Sequence, residues 1–388
     1  MRRVYLDNSA TTRVDSKAAN EMVKYMIEEY GNPSSVHNYG QIARCEIDDS
    51  REKVAKVINA NIDEIFFTSG GTESDNWAIR GVVNNALIKG KKVHLVTSSY
   101  EHSAIDNTVK NLNRIFPGND ISYTMVSPDN KGYIHVEDIE KAITENTILV
   151  SVMHINSEIG TINDIKSIGK MCRRKKVLFH TDAVQSFGKI DIDVRKFDID
   201  LLSMSAHKIH GPKGVGALFV RKNVEIEPMI YGGSQESRMR MGTENLPGIA
   251  GFGFVCENVV SNYKKGMEKI ISLRKNFLKL LGEELDNYTV NSDIENGYPG
   301  VLNITFHGVE GEAIALSMAM ENFAVSTGSA CSSGSVEPSR MLLSLGLSKE
   351  DAQSSIRFSF GLENICEDIE LGAKCLIKTV KRLRSLGM

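Results

Sequence analysis

The sequence predicts an α/β fold in which helices cover both faces of a mainly parallel sheet. Up to about residue 257, short apolar runs alternate with stretches of helical periodicity, and this alternation favours parallel strands joined by helical crossovers. After residue 257 the pattern changes, which indicates a smaller α+β unit. We therefore predict a large domain of residues 15–257 and a small domain that combines residues 1–14 with 258–388.

Apolar runs with polar or turn residues at their ends predict the strands of the large domain. These runs are EIFFT at 64–68, KKVHLVTS at 91–98, TILVSVMHIN at 147–156, VLFHTDA at 177–183, DLLSMSA at 200–206 and GVGALFV at 214–220. The first helix is predicted over residues 16–30, where apolar residues recur at helical spacing before the stop signal of Gly31 and Pro33. A further helix is predicted through Trp77, after the first of these strands.

The predicted small domain contains two helices and two strands. They are a helix at 264–285, a strand at 300–308, a helix at 310–323 and the strand SIRFSFG at 355–361. In SIRFSFG, Arg357 and Ser359 alternate with apolar residues, so they project from the other face of the strand. A solvated strand face is the ordinary interpretation of such an arginine.

Composition limits the classes of function. The chain has 46 Lys and Arg against 49 Asp and Glu, and this balance gives no basic excess for nucleic acid or an anionic membrane. The six cysteines are scattered without a CxxC motif, and no secretory signal precedes them, which favours a reducing, cytoplasmic setting. No apolar run approaches the ~18 residues of a membrane helix, so we expect no membrane association.

The stretch SMSAHKIHGPKG places Lys208 just after a predicted buried strand, with Ser205 and His207 before it. Partial desolvation lowers the pKa of a lysine and makes its amine a nucleophile for a carbonyl group. The alternative is a surface lysine whose ammonium reaches solvent. No cysteine or carboxylate flanks the two histidines at ligand spacing, so we expect no metal.

The stretch FFTSGGTESDNWAI places Gly71 and Thr72 between a strand and a helix. Free backbone N–H groups and the positive end of the helix dipole bind anions, and a threonine hydroxyl adds a donor. The stretch does not match the GxxxxGK[ST] or GxGxxG patterns of nucleotide sites. The alternative is a capped strand-to-helix turn without a ligand.

Further polar side chains follow two other predicted strands. Asp182 ends an apolar strand in VLFHTDAVQ, with Gln185 three residues later, and His102 follows a strand in SSYEHSAI. A carboxylate at such a place needs a cationic partner, for which a protonated pyridine nitrogen is suited. A helix N-cap for Asp182 and a packed core histidine for His102 are the alternatives.

The stretch STGSACSSGS at 326–335 surrounds Cys331 with small residues. A free cysteine is among the residues most often buried, so quiet packing is one interpretation. A mobile nucleophile is the other interpretation.

Together, an amine for a Schiff base, an acid for a pyridine nitrogen, an aromatic ring and a phosphate-binding turn are the groups that pyridoxal phosphate needs.

The chain resembles the pyridoxal-phosphate-dependent cysteine desulfurases of the NifS/IscS type, which have the class-V aminotransferase-like fold. The resemblance covers nearly the whole chain, and its motifs occur in family order. They are YLDNSATT, YGNPSSVH, FTSGGTESDN, HINSEIGT, HTDAVQ, SAHKIHGPKG, GTENLPGIAG, STGSACSSGS and RFSFG. The resemblance implies fold type I, in which the large domain carries a mainly parallel seven-stranded sheet.

The resemblance also implies a role for each candidate residue. Lys208 would form the Schiff base with the cofactor aldehyde and move the α-proton of the substrate, while Asn156 and Arg357 would hold its carboxylate. Thr243 would reach the phosphate from the partner subunit of a homodimer. The other implied cofactor ligands are Asp182 at the pyridine nitrogen, Gln185 at the phenolic oxygen, His102 on the ring, and Gly71, Thr72, Ser205 and His207 at the phosphate.

The implied reaction converts L-cysteine to L-alanine and leaves the sulfur on Cys331 as a persulfide. A sulfur-acceptor protein, either an iron–sulfur scaffold or a thiolation enzyme, would then receive it. Ionisation of the Cys331 thiol is open between the substrate's own amine or thiolate, His102 and the cofactor. A selenocysteine lyase or an aminotransferase on the same fold, or a binding protein without catalysis, is the alternative.

The sequence departs from the family pattern before GTEN, where YGGSQESRMRM contains the unusual Ser234, Ser237 and Met241. These residues set that loop apart from the family pattern. The chain also ends at RLRSLGM, without the longer tail with which some family members dock a scaffold protein.

Overall fold

The computed structural model describes residues 2–327 and 337–387, and its centre is a seven-stranded sheet. The strands are β1 (Val4–Tyr5), β2 (Ile65–Thr68), β3 (Val93–Ser98), β4 (Ile121–Val126), β5 (Thr147–Ser151), β6 (Leu178–Asp182), β7 (Leu201–Ser205), β8 (Gly216–Val220), β9 (Tyr288–Val290), β10 (Val301–Phe306), β11 (Phe323–Ala324) and β12 (Ser355–Ser359). The large sheet has the order β2-β8-β7-β6-β5-β3-β4. Only β8 runs antiparallel to its neighbours in this sheet, which confirms the prediction of a mainly parallel seven-stranded sheet.

Helices cover both faces of this sheet, and β3 and β7 are therefore buried along their whole length. The helices are α1 (Ser16–Ile27), α2 (Asn38–Val57), α3 (Gly71–Ile88), α4 (Ser103–Lys110), α5 (Leu112–Ile115), α6 (Val136–Ala142), α7 (Ile165–Lys175), α8 (Leu246–Cys256), α9 (Val259–Glu284), α10 (Gly311–Met320), α11 (Arg340–Ser344), α12 (Lys349–Gln353) and α13 (Cys366–Ser385). None of the helices in the described ranges combines the length and the apolar character needed to cross a membrane.

Several strands differ from their predictions. The short strands β1, β9 and β11, of two or three residues each, were not predicted. Strand β4 was not predicted, because this edge strand has exposed polar residues such as Ser122 within a short run. The predicted strand at 147–156 ends at Ser151. Residues 152–156 remain buried, and Val152 and His154 still donate their N–H groups to β6, at the carbonyl oxygens of His180 (3.2 Å) and Asp182 (3.0 Å).

The smaller sheet has the antiparallel order β12-β10-β9, and α9 and α10 pack against β12. Its core includes the ring of Phe358, which lies 4.9 Å from that of Phe277 between centroids. The chain start reaches this region, because β1 pairs with β11. Every residue of β12 is buried, so the interpretation of Arg357 as part of a solvated strand face is wrong. The domain boundaries at 14/15 and 257/258 stay predictions.

The unusual loop before GTEN is held by a buried ion pair between Arg51 and Glu236. The guanidinium donates two hydrogen bonds of 2.6 Å to the carboxylate, which also accepts the Phe67 backbone N–H at 2.8 Å. Glu236 and Ser237 have φ values of 46° and 56°. These values lie in the left-handed region, which is energetically unfavourable for residues other than glycine. The ion pair therefore holds a strained turn against the sheet.

We expect Glu236→Ala to reduce the free energy of unfolding by about 3–5 kcal/mol, because it leaves the buried Arg51 guanidinium without its anion. Urea denaturation followed by circular dichroism measures this loss. The matched control is Ser237→Gly in the same turn, which removes left-handed strain and should change stability by no more than about 1 kcal/mol. Equal stabilities of Glu236→Ala and the wild type would contradict the anchoring role of the ion pair.

Candidate active site

A cavity of about 280 Å³ brings together residues that lie far apart in the sequence. Several of them follow parallel strands, whose carboxyl ends meet at one edge of the sheet. The predicted residues that line the cavity are Gly71, Thr72, His102, Asp182, Gln185, Ser205, His207, Lys208 and Arg357. A larger groove of about 630 Å³ lies beside the small sheet, and its lining contains no predicted residue. The smaller cavity is therefore the candidate active site.

Lys208 is held at the cavity by the beginning of the chain. It lies at the end of a single 3₁₀ turn (Ala206–Lys208) that follows β7, and its Nζ donates hydrogen bonds to the carbonyl oxygens of Ser9 at 2.5 Å and Ala10 at 2.9 Å. The Gln185 amide nitrogen donates to the same Ser9 carbonyl at 2.8 Å. These bonds turn the ammonium inward, so the interpretation of Lys208 as a solvent-directed surface lysine is wrong.

Asp182 ends β6 and is almost completely buried. Its carboxylate accepts the Val184 backbone N–H at 2.8 Å, which closes a local turn rather than capping a helix. Burial raises the pKa of Asp182, while nearby His102 and Lys208 lower it. A buried carboxylate in a cavity of this kind favours a cationic partner.

His102 follows β3 and caps the start of α4. Its Nδ1 accepts the Ala104 backbone N–H at 3.1 Å, so the proton of the neutral ring is assigned to Nε2. Burial lowers the pKa of His102, which favours this neutral form. The Ala104 N–H thus fixes a flat, neutral ring at the wall of the cavity.

The start of α3 forms one end of the cavity and has features that suit an anion. Gly70 has a φ of 151°, and a Cβ atom on Gly71 would lie 2.6 Å from a methyl group of Val184, so the backbone passes too closely for a side chain. Thr72 lies in the first turn of this 18-residue helix, where unpaired N–H groups attract anions. His207 bonds Thr11 Oγ1 at 3.1 Å, and burial lowers the pKa of His207 to about 4.

Arg357 is buried on β12 and is oriented by two acceptors. One terminal nitrogen donates to Asp7 Oδ1 at 2.8 Å and the other to the Ser157 carbonyl at 3.1 Å. Asn156 is also buried but does not line the cavity. Its amide oxygen accepts two backbone N–H groups, from Glu158 at 2.9 Å and Ile159 at 3.0 Å.

Two predicted residues lie apart from this group. Thr243 is exposed and lines a separate cavity of about 180 Å³, away from Lys208 of its own chain. Cys331 lies outside the described residues. The last described residues before it are anchored at the site, because the backbones of Ser326 and Arg357 exchange hydrogen bonds of 3.2 and 2.7 Å.

Sequence reasoning missed four contributors to the site: Asp7, Ser9, Ala10 and Asp75. The first three belong to YLDNSATT, which carried the family resemblance but no role. Asp75 follows Thr72 on α3, lines the cavity and has a buried Oδ1 without a hydrogen-bond partner in the described ranges. Burial and the neighbouring Asp182 carboxylate raise the pKa of Asp75. The TESD spacing, which puts Thr72 and Asp75 three residues apart on one helix face, was the available signal.

Comparisons with known proteins place this site in a family. The family model described as aminotransferase class-V matches residues 4–371. A cysteine desulfurase IscS of Clostridium botulinum is 43% identical, and the match covers 100% of this chain and 96% of that protein. A mitosomal cysteine desulfurase of Encephalitozoon cuniculi is 41% identical, with coverage of 100% and 88%.

A solved structure titled NifS-like protein superposes with a TM-score of 0.90 at 34% identity and covers 98% of this chain and 100% of its own. The chain therefore belongs to the class-V aminotransferase family, whose enzymes depend on pyridoxal phosphate. The cavity fits that cofactor, because its glycine-lined helix start suits a phosphate and its buried Asp182 suits a pyridinium nitrogen. The roles of the individual residues stay predictions.

Glu101 directly precedes His102, which lines the cavity, and makes the stability of the fold depend on pH. Its Oε1 accepts hydrogen bonds from Ser98 Oγ at 2.5 Å and from the Met153 N–H at 3.0 Å. Its buried Oε2 has no such partner in the described part of the chain. Burial raises the pKa of Glu101 from 4.5 to about 8, so the folded protein keeps this proton when the unfolded chain has lost it. The corresponding stability is present below pH 4.5 and is lost as the pH rises through 8.

We expect Glu101→Gln to remove this loss, because glutamine resembles the protonated acid and cannot ionise. Between pH 5 and 8, the stability of the variant relative to the wild type should rise by up to ~1.4 kcal/mol per pH unit. Urea denaturation at pH 5, 6.5 and 8, with the protein concentration held constant, measures the difference in the free energy of unfolding between variant and wild type. Exposed Glu137→Gln is the control and should follow the wild type; a Glu101→Gln curve parallel to the wild type would refute the shift.

Proposed function

We propose that this protein is a cysteine desulfurase, which converts L-cysteine to L-alanine and takes up the sulfur on Cys331. The observation that carries the proposal is that one cavity joins Lys208, Asp182 and Arg357, while Ser326, which precedes the Cys331 segment, pairs with the Arg357 backbone. The curated relatives named above are called cysteine desulfurases. A solved relative with a TM-score of 0.81 and 35% identity over 93% of this chain is titled SspA in complex with cysteine.

Bound pyridoxal phosphate supplies an electron sink for the charge that forms at the substrate α-carbon when its proton leaves. We assign Asp182 to the pyridine nitrogen, where its charge keeps that nitrogen protonated. His102 would cover one face of the ring, and Gln185 would bond the phenolic oxygen. Thr72 and Ser205, with Gly71 and His207, would hold the phosphate at the start of α3.

Lys208 is the base that moves the substrate proton. Its amine is anchored by two carbonyl oxygens at the cavity wall, so it stays within reach of a substrate bound beside the cofactor. Arg357 binds the substrate carboxylate with guanidinium N–H groups that Asp7 and Ser157 leave free. Asn156 supports this region by fixing the backbone of residues 157–159.

The sulfur leaves by attack of the Cys331 thiolate on the substrate sulfur. The new S–S bond forms as the substrate S–Cβ bond breaks. The electron pair of the broken S–Cβ bond stays with the three-carbon fragment, which takes up protons and leaves as L-alanine. Cys331 is five residues from Ser326 along the chain, a span of at most ~18 Å. Because Ser326 pairs with Arg357, covalent geometry allows the thiol to reach the substrate.

We expect incubation with L-cysteine in the absence of reductant to add about 32 Da to the protein, the mass of one sulfur atom on a reactive thiol. Intact-mass spectrometry measures the addition. Cys331→Ala should abolish the added mass, whereas Cys45→Ala, which removes an exposed cysteine on α2, should keep it. Lys208→Ala should lose both the added mass and alanine formation.

A selenocysteine lyase or an aminotransferase would need no sulfur-accepting thiol for its product. Full alanine formation from cysteine by Cys331→Ala would therefore contradict the desulfurase proposal. So would an added mass that persists in this variant, since it would place the sulfur on another residue.

We further propose that the active unit is a homodimer and that Thr243 contacts the cofactor phosphate bound to the partner subunit. Its exposure and its separation from the cavity of its own chain support this arrangement. A set of exposed apolar side chains on and after α1 supports a covered surface. These side chains are Val23, Met26, Ile27, Tyr30, Val36 and Tyr39.

We expect Lys208→Ala and Thr243→Ala proteins, each inactive or weak alone, to regain activity when they are unfolded together and refolded as mixed dimers. In a mixed dimer, the site with intact Lys208 receives an intact Thr243 from the other chain, so about half of the mixed dimers' sites become functional. Alanine production measures the recovery. Mixing Lys208→Ala with Lys208→Ala is the control, and absence of recovery in the mixed sample would show that Thr243 acts within its own chain.

The persulfide sulfur must then pass to an acceptor protein, and we propose an iron–sulfur scaffold or a thiolation enzyme for that role. Transfer needs the Cys331 segment to be accessible from outside the cavity. The location of the reaction in the cytoplasm stays a prediction.

A further inference from the structure

The guanidinium of Arg357 has a fixed position before any substrate arrives. Asp7 Oδ1 holds one terminal nitrogen at 2.8 Å, and the Ser157 carbonyl holds the other at 3.1 Å. The Nε atom is buried and has no hydrogen-bond partner in the described ranges. A buried guanidinium without an anion carries a large desolvation cost, so Asp7 is an essential part of this arrangement.

The backbone fixes Asp7 relative to the arginine. Asp7 forms a parallel bridge with Ser359, two residues after Arg357 on β12. The Ser359 N–H donates to the Leu6 carbonyl at 2.7 Å, and the Ser9 N–H donates to Ser359 Oγ at 2.8 Å. These bonds fix the Asp7 backbone beside β12, so its carboxylate projects from a defined place next to the guanidinium.

Asp7 is also the main negative charge beside Arg357. It is the one carboxylate within 4.0 Å of the guanidinium in the described ranges. Glu158 is nearby, but burial raises the pKa of Glu158 to about 7, and Ser339 Oγ donates to it at 2.5 Å. A substrate carboxylate at Arg357 consequently meets a guanidinium whose charge is already partly offset by Asp7.

We propose that Asp7 is a positioning residue that holds the Arg357 guanidinium toward the cavity and sets its affinity for the substrate α-carboxylate. This inference rests on the proposed role of Arg357. Asp7 has two opposite effects: its hydrogen bond orients the guanidinium, and its charge competes with the incoming carboxylate. The substitutions Asp7→Ala and Asp7→Asn separate these effects.

We expect Asp7→Ala to raise the KM for L-cysteine by about tenfold or more and to change kcat by less than about threefold, because the guanidinium loses a charge-assisted hydrogen bond that orients it. Asp7→Asn keeps an oxygen acceptor at the same place and removes the competing charge. Its KM should equal or fall below that of the wild type. Steady-state alanine formation measures both constants.

A binding measurement gives the same distinction without turnover. L-Alanine carries the carboxylate, whereas 2-aminoethanethiol lacks it, and calorimetry with the holoenzyme measures the Kd of each. Asp7→Ala should raise the Kd of L-alanine by about tenfold and leave the Kd of 2-aminoethanethiol unchanged. Equal weakening of both ligands would overturn the positioning role and indicate a general structural defect.

Arg357→Lys and Asp15→Ala complete the experiment. If Arg357→Lys leaves the Kd of L-alanine unchanged, the proposed carboxylate role of Arg357 fails. If Arg357→Lys weakens L-alanine but Asp7→Ala does not, the inference about Asp7 alone fails. Asp15 caps α1 later in the N-terminal segment, by accepting the Lys17 and Ala18 N–H groups, so Asp15→Ala should lower stability with an unchanged KM.

If Asp7→Ala fails to fold, the KM of Asp7→Asn for L-cysteine tests the proposal instead. A KM at or below the wild-type value supports the orienting oxygen and the competing charge. A KM raised tenfold or more in this isosteric variant would overturn the proposal.

Discussion

The arrangement of the site depends on hydrogen bonds from functional side chains to the first residues of the chain. The Ser9 carbonyl accepts from both Lys208 and Gln185, and the Asp7 carboxylate accepts from Arg357. Lys208 and Gln185 follow strands of the large sheet, whereas Arg357 belongs to the small one. The N-terminal segment is therefore the physical link that sets the amine and the guanidinium at a defined separation, and both proposed steps of substrate binding and proton transfer depend on it.

Burial is a second constraint, because it makes the ionisable groups in and next to the cavity favour their neutral forms. Burial raises the pKa values of Asp75 and Glu101 and lowers that of His102. At Asp182, His102 and Lys208 lower the pKa of the carboxyl group and so oppose the effect of burial. A bound pyridinium would add the full positive charge that this carboxylate needs, so cofactor binding and the ionised state of Asp182 favour each other.

The sequence allowed the large sheet and most of its strands to be predicted, because buried strands appear as continuous apolar runs and crossover helices have their own period. It also identified side chains that the structure groups around one cavity. Edge strand β4 escaped because exposed polar residues interrupt its run. Asp7, Ser9 and Ala10 escaped for another reason: their partners lie about 175 to 350 residues away, and two of them act through backbone carbonyl oxygens that any residue type provides.

The backbone pairing of Ser326 with Arg357 links the proposed carboxylate site to the proposed sulfur transfer. Arg357 thus has two connections: its side chain meets Asp7, and its main chain holds the start of the segment that carries Cys331. On the far side of that segment, Ser339 bonds Glu158, one residue after the Ser157 carbonyl that also holds the guanidinium. Both flanks of the nucleophile segment are therefore positioned relative to the same guanidinium. A substrate whose carboxylate is bound by Arg357 is therefore also oriented relative to Ser326 and Ser339, between which the segment with the Cys331 thiol begins and ends.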